Sequence, residues 1–286
     1  MSEKIIDGKA IAAEIKNELK NKISNLNKRA PGLAVILVGD DPASHYYVSN
    51  KEKSCAEVGI VSFKTILAAN CSKEELISII NKYNQDPNVD GILLQLPLPA
   101  ALKNSSQEII DHILANKDVD GLTTINLGKL VVGSKDAIEP CTPRGCMELL
   151  KRSNVNCSGK QAIVLGRSTL VGKPISLLLN AANATVTMAH SKTQNLEALL
   201  AQADIIVAAI GQAEFIKANA IKVGAVIIDV GINAIEIDGK RTLVGDVEFT
   251  KAFEKASLIT PVPGGVGPMT VAMLLANTLE LYEKHI

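Results

Sequence analysis

The feature that most constrains this chain is a series of short, β-forming apolar runs with helix-forming stretches between them. LAVILVG (33–39), ILLQLPL (92–98), AIVLG (162–166), ATVTMA (184–189), DIIVAAIG (204–211), AVIIDVG (225–231) and LITPV (258–262) are near-continuously apolar rather than alternating. Strands read this way when both faces of their sheet are covered, as in parallel sheets joined by helices. Helical patterns are expected over about 9–27, 44–58, 73–84, 105–115, 143–152, 172–182 and 269–284. Strand and helix alternating in this manner give an α/β fold with mainly parallel sheets. Two segments break the alternation. EPCTPRG (139–145) carries two prolines before a helical run, and TPVPGGVGP (260–268) is too dense in Pro and Gly for regular structure. The expected division is therefore 1–140, completed by the last helix at 269–286, and a second domain at 141–268.

Bulk properties remove several function classes. A length of 286 residues suits two domains of ordinary size, and 47% hydrophobic with 21% charged residues is a soluble globular balance. The 30 basic and 30 acidic residues cancel, so nothing advertises a nucleic-acid partner. The N-terminus, MSEKIIDGKAIAAEIKNELKNK, lacks an apolar signal core and is too acidic for a transit peptide, and no apolar run is long enough to span a bilayer. The five cysteines form no C-x-x-C pair and the four histidines show no ligand spacing, which argues against a disulfide framework and a metal site. A cytoplasmic location is expected, and the N-x-S matches at Asn70 and Asn156 are then chance.

The stretch IVLGRSTLVGKP (163–174) is a strand, a glycine turn and a helix start, with Pro174 in the first helical turn. Such an arrangement binds pyrophosphate through free main-chain N–H groups and the helix dipole. It misses the nucleotide-hydrolase loop, because five residues separate Gly166 from Gly172 and Pro174 stands where a hydroxyl is needed. It also misses the common dinucleotide fingerprint, because Ser168 takes the place of the second glycine. The next strand ends in His190-Ser191-Lys192-Thr193 rather than in a carboxylate, and Arg167 lies in the loop. A cation and hydroxyls in place of a carboxylate suit a 2′-phosphate, which favours NADP over NAD. An ordinary βα turn with a chance pair of glycines is the competing reading.

In the first half, Ser44, Tyr47 and Lys51 share one helical face. A partly desolvated lysine can act as a base near neutral pH, whereas a solvated helix surface is the plain alternative. Y-x-x-x-K also occurs in short-chain dehydrogenases, but there the nucleotide loop precedes the pair, and here it follows. Gln95 is polar inside an apolar strand, near the strand end where ligands sit in parallel sheets. A buried amide must be hydrogen-bonded, either structurally or to a catalytic group. KDVDG (117–121) offers Asp118 and Asp120, either as turn caps or as a carboxylate that accepts two N–H groups side by side, as an aminopyrimidine edge presents them. Cys141, at the domain boundary, packs as a small hydrophobe or lines a cleft.

Taken together, S-x-x-Y-x-x-x-K (44–51), VDGILLQLPLP (89–99), KDVDG (117–121), PCTPRG (140–145), VLGRSTLVGKP (164–174), HSKT (190–193), DVGIN (229–233) and TPVPGGVGPMT (260–270) resemble the methylenetetrahydrofolate dehydrogenase/cyclohydrolase family. The resemblance runs from IIDGKAIA (5–12) to the last helix. It implies two three-layer α/β domains, the second a Rossmann-type NADP-binding domain, with an active-site cleft between them. It implies NADP⁺-dependent oxidation of 5,10-methylenetetrahydrofolate and hydrolysis of the product to 10-formyltetrahydrofolate, in one-carbon folate metabolism. Lys51 is then the general acid/base, Gln95 tunes it, Tyr47 stacks on the folate and Asp118 anchors the pterin edge. Ser44, Leu96 and Pro97 join the substrate site, with Pro263, Gly264, Gly265 and Val266 as a wall over folate and nicotinamide. Gly166, Arg167, Ser168, Gly172, Ser191 and Ile232 hold NADP. No metal is required, the partners are tetrahydrofolate derivatives without nucleic acid or membrane, and a homodimer through the NADP domain is expected. A dehydrogenase lacking the hydrolytic step or the reverse, a folate-binding protein without turnover, and a short-chain or amino-acid-type dehydrogenase acting on another substrate remain as alternatives.

Overall fold

The computed structural model describes residues 3–237 and 239–286. In chain order the first elements are α1 (Gly8–Ser24), β1 (Gly32–Val38), α2 (Pro42–Val58), β2 (Val61–Leu67), α3 (Lys73–Gln85) and β3 (Gly91–Leu94). Short helices α4 (Ala100–Lys103), α5 (Ser106–Ile110) and α6 (Thr124–Val131) follow, then α7 (Cys141–Arg152). The second half holds β4 (Gln161–Leu165), α8 (Gly172–Ala181), β5 (Thr185–Ala189), α9 (Leu196–Leu200), β6 (Ile205–Ala208) and β7 (Val226–Asp229). It continues through β8 (Asn233–Ile237), β9 (Lys240–Val244), α10 (Phe249–Lys255), β10 (Leu258–Ile259) and α11 (Val266–His285). Contacts divide the chain into two compact units, 13–141 with 271–286 and 1–12 with 142–270.

The unit of residues 13–141 and 271–286 is built on a parallel sheet of order β2-β1-β3. Every residue of β1 is buried, as its unbroken apolar sequence requires. The sequence of β2, VSFKTIL, escapes that pattern because β2 is an edge strand whose residues are only partly covered, so Ser, Lys and Thr interleave with apolar residues. Residues 117–118 extend the sheet beyond β3, where Ile92 N donates to Lys117 O at 2.7 Å. Leu76, Ile80 and Ile109 fill the core with Ile36, Ile92 and Leu94. The C-terminal helix seals this unit. Tyr282 is fully buried and donates its hydroxyl to Arg29 O at 2.6 Å, and Asn277 Nδ2 donates to Val119 O at 2.7 Å. Arg29 in turn grips the buried Asp90 carboxylate with both guanidinium nitrogens, at 2.6 and 2.7 Å.

The other unit carries a five-stranded parallel sheet of order β10-β7-β6-β4-β5, with β8 and β9 as a separate antiparallel hairpin. Its core joins Ile163, Leu165, Ile206 and Ile227 to Leu200, Ala252 and Ile259. The N-terminal segment belongs here, which differs from the expected division. Ile5 bridges Ile259 in parallel, and Ile6 N donates to Ile259 O at 2.9 Å. Two further expectations are corrected. Only Leu258–Ile259 of LITPV is strand, and α11 starts at Val266, so Gly267 and Pro268 lie in its first turn. That turn needs no main-chain donor, so Pro fits it. The expected helix over 105–115 is confined to Ser106–Ile110.

Candidate active site

Helix α2 is fixed at both ends by local chemistry. Asp41 accepts from Ser44 N at 2.8 Å as N-cap, Pro42 opens the first turn, and Gly59 closes the helix in the left-handed region at φ 89°. Within it, Ser44 is buried, Lys51 half-buried and Tyr47 about half exposed, with Tyr46 edge-on to the Tyr47 ring at 6.1 Å. Lys51 Nζ donates to Gln95 Oε1 at 2.8 Å. Gln95 is itself held on three sides. Its N donates to Ile36 O at 2.9 Å, continuing the sheet past β3, and its Nε2 donates to Leu96 O at 2.6 Å. The amide therefore has no freedom to turn, and its carbonyl faces the lysine. Ser44, Tyr47, Lys51, Gln95, Leu96 and the exposed Pro97 all lie on α2 or at the carboxyl end of β3. Ligands collect at that edge of a parallel sheet.

The two aspartates of KDVDG part ways. Asp118 is almost wholly buried, and its Oδ2 accepts from Thr123 N, Thr123 Oγ1 and Asn126 Nδ2 at 2.8, 2.8 and 2.9 Å. Thr123 is the N-cap of α6, so Asp118 secures a helix start. Asp120 is only half-buried at its surface. Desolvation raises its carboxyl above the usual carboxylate range, the Lys51 cation opposes the rise, the Asp118 carboxylate adds to it, and the Cys141 thiol favours the ionised form. Cys141 itself is buried and donates to Val119 O at 3.3 Å.

The glycine loop leaves β4 and enters α8. Gly166 has φ 121°, and a Cβ there would lie 2.3 Å from Ala209 O; a Cβ on Gly172 would lie 2.2 Å from Gly166 O. Neither position admits a side chain, so the backbone stays bare where a ligand would approach. Ser168 Oγ accepts from Val171 N at 3.1 Å and Gly172 N at 3.4 Å, which leaves its own hydrogen to donate. Beside the loop is a cavity of about 280 Å³ whose lining includes Gly166, Arg167, Ser168, Ser191, Ile210 and Gln212. Arg167, Ser168 and Ser191 are exposed, free to meet an anion. The HSKT turn is closed by His190 N donating to Thr193 Oγ1 at 2.8 Å and Thr193 N to His190 O at 2.8 Å. Bare backbone, a helix N-terminus, a cation and two hydroxyls fit a dinucleotide phosphate chain. Gly172 and Ile232 do not line this cavity; Gly172 packs behind Gly166, and Ile232 is half exposed after β7. Pro263–Val266 also lie outside the lining, and the Gly264 carbonyl accepts from Lys9 N at 2.9 Å. No group of three or more His, Cys, Asp or Glu side chains among the described residues could hold a metal ion.

Family models match both halves of the chain. The catalytic domain of tetrahydrofolate dehydrogenase/cyclohydrolase matches residues 6–120, and the NAD(P)-binding domain of the same family matches residues 140–286. The chain belongs to the tetrahydrofolate dehydrogenase/cyclohydrolase family. It is 51% identical over 282 residues to the bifunctional protein FolD of Acetivibrio thermocellus, a match covering 98% of this chain and 97% of that one. Its fold is similar to the bifunctional FolD methylenetetrahydrofolate dehydrogenase/cyclohydrolase of Campylobacter jejuni, with a TM-score of 0.95 and 45% identity over 99% of both chains. The Trypanosoma brucei methylenetetrahydrofolate dehydrogenase-cyclohydrolase, solved with NADP and an inhibitor, has a TM-score of 0.92 and 38% identity over 98% of this chain and 97% of that one.

For a member of the tetrahydrofolate dehydrogenase/cyclohydrolase family, the geometry changes the weight given to one residue. Sequence spacing could not rank Asp118 against Asp120, because both belong to one motif. The signal is the Thr-x-x-Asn run that follows (123–126), whose donors occupy Oδ2 of the first aspartate at the start of α6, whereas the second feels the Lys51 cation. Asp246 was not singled out at all, although it accepts from the main chain of cavity residues Ile210 and Gln212.

Proposed function

We propose that this chain oxidises 5,10-methylenetetrahydrofolate to 5,10-methenyltetrahydrofolate with NADP⁺ and hydrolyses the product to 10-formyltetrahydrofolate. The observation that carries the reading is the Lys51–Gln95 pair, a fixed amide holding a lysine amine at 2.8 Å in a chain that also bears a dinucleotide loop. When bound, NADP⁺ supplies the acceptor for a hydride from the one-carbon bridge. Gly166, Arg167, Ser168 and Ser191 would hold its phosphates. Tyr47 offers an exposed ring for the folate ring system.

In the hydrolytic step, water attacks the cationic methenyl carbon and its proton passes to Lys51 Nζ. The bond from that carbon to N5 then breaks, with the electron pair going to N5 and a proton returning to it from Lys51. One proton is released overall, as the change from a cation to a neutral formyl product requires. One N–H of Lys51 is tied to Gln95 whether the amine is charged or neutral, so its remaining positions are oriented for this transfer. Asp120, and not Asp118, takes the aminopyrimidine edge of the pterin, because three donors already occupy Oδ2 of Asp118.

The unit containing 142–270 also supports a homodimer. Among the described residues its edge strand β5 pairs only with β4, and it exposes Thr185, Thr187 and Met188. An edge strand presents unpaired main-chain N–H and C=O groups on which a second copy can pair. Among the described residues no helix is long and apolar enough to cross a membrane, and cytoplasmic residence accords with the substrates. The test of function is a spectrophotometric assay with methylenetetrahydrofolate and either NADP⁺ or NAD⁺. NADP⁺-dependent formation of methenyltetrahydrofolate, decaying faster than it does unaided, is expected. Turnover without accelerated decay would leave a dehydrogenase alone, and no turnover with either cofactor would overturn the reading.

A further inference from the structure

Beside the glycine loop, the lining of the nucleotide cavity includes Ile210 and Gln212 at the exit of β6, and a single carboxylate holds that exit. Asp246 is fully buried. Its Oδ2 accepts from Ile210 N at 2.7 Å and Gly211 N at 3.0 Å, and its Oδ1 accepts from Gln212 N and Asn233 Nδ2, both at 2.9 Å. Three consecutive main-chain amides converging on one carboxylate form a nest, an anion-binding concavity of the main chain. Asp246 is anchored in turn. Its N donates to Asp229 Oδ1 at 3.0 Å, and its carbonyl accepts from Ile216 N at 2.9 Å. Asp229 stands at the end of β7 and also accepts from Gly231 N and Val247 N, at 3.0 and 2.9 Å. The side chain of Asp246 thus ties the exit of β6 to the start of β8, and Asp229 ties the segment after β9 to the exit of β7.

We propose that Asp246 is a positioning residue for NADP, holding Ile210–Gln212 in the conformation that forms the cavity wall. It touches no ligand itself and acts through the three amides. The inference rests on the nucleotide reading of the cavity.

The test is Asp246→Asn in the full chain. Asparagine keeps the size and one oxygen, but its NH₂ group points hydrogens at main-chain donors that need an acceptor. The dissociation constant for NADP and the KM for NADP⁺ are expected to rise on the order of tenfold. Turnover at saturating NADP⁺ is expected to stay within about twofold, and hydrolysis of preformed methenyltetrahydrofolate, which uses no NADP, is expected to be unchanged. Unaltered NADP binding in a folded variant would overturn the proposal, as would an equal loss of hydrolysis. Should the variant not fold, amide exchange in the unaltered protein decides. Ile210, Gly211 and Gln212 must exchange as slowly as Ile206 and Val207 of β6, and exchange at open-loop rates would overturn the proposal. Failure of the unaltered protein to bind NADP would count against the nucleotide reading instead, and the same exchange rates would still report whether Asp246 holds the wall.

Discussion

Three carboxylates and a lysine make separable predictions. Lys51→Ala removes the amine that donates to Gln95 Oε1. Hydrolysis of methenyltetrahydrofolate should fall by roughly 10²–10⁴, the usual worth of a general acid/base, while dehydrogenase activity is kept at least in part. Equal survival of both activities would remove Lys51 from the mechanism. The aspartates of KDVDG separate by readout. Asp120→Asn should raise the KM for the folate about tenfold with little change in stability, because that carboxylate is not a helix cap. Asp118→Asn should instead cost about 1–3 kcal/mol of stability in urea unfolding, because it disrupts the hydrogen bonds at the start of α6. Asp229 makes a pH prediction. Burial pushes its carboxyl up to about 7, main-chain donors from Asp246 and Val247 oppose the rise, and the Asp246 carboxylate adds to it. The folded state therefore binds this proton more tightly than the unfolded chain, whose ordinary value is 3.8. The resulting stability is complete below about pH 4 and is lost as pH rises through about 7. Denaturant unfolding of the wild type against Asp229→Asn at pH 4 and pH 8 should show the difference changing by a few kcal/mol, with the wild type losing ground at the higher pH.

At the scale of elements, the loop between β4 and α8 carries the prediction about cofactor choice. Arg167 is exposed beside Ser168 and Ser191, and no carboxylate stands at the end of β5 to claim a ribose hydroxyl. Arg167→Ala should weaken NADP binding about tenfold or more and leave NAD nearly unchanged; an equal loss for both would assign the arginine to the shared pyrophosphate instead. This loop also shows what the sequence makes legible. Strands buried on both faces announce themselves, so β1, β4, β6 and β7 are readable from apolar runs alone. The edge strand β2 and the hairpin β8–β9 are not, because half-covered strands mix polar and apolar residues. The helix α2 and its lysine were readable from spacing, since four residues make one face. The pairing of that lysine with Gln95 follows from the family resemblance and not from spacing, because Gln95 meets it only after β3 has been laid beside β1. Asp246 was invisible for the same reason: its acceptor role joins residues from 210 to 233 that only the sheet brings together.

For the molecule as a whole, the open edge of β5 predicts self-association. Sedimentation at micromolar concentration should give a dimer, and Met188→Lys, which places a charge on that exposed strand, should shift it to monomer without loss of secondary structure. A wild-type monomer would sink the dimer reading. The route of the chain has a separate consequence for biosynthesis. Residues before α7 include both the bulk of one unit and the N-terminal segment that pairs with Ile259 of the other, while the first unit waits for α11 to deliver Tyr282 and Asn277. Neither unit is therefore a continuous stretch that could finish folding while its sequel is still on the ribosome. Residues 13–141 emerge before Tyr282 and Asn277 can donate to the Arg29 and Val119 carbonyls, and the nucleotide unit leaves its own first residues idle until β10 has been translated. Cutting the gene near residue 141 should accordingly yield two fragments that each need the other to complete a core, a complementation pair rather than two free-standing domains.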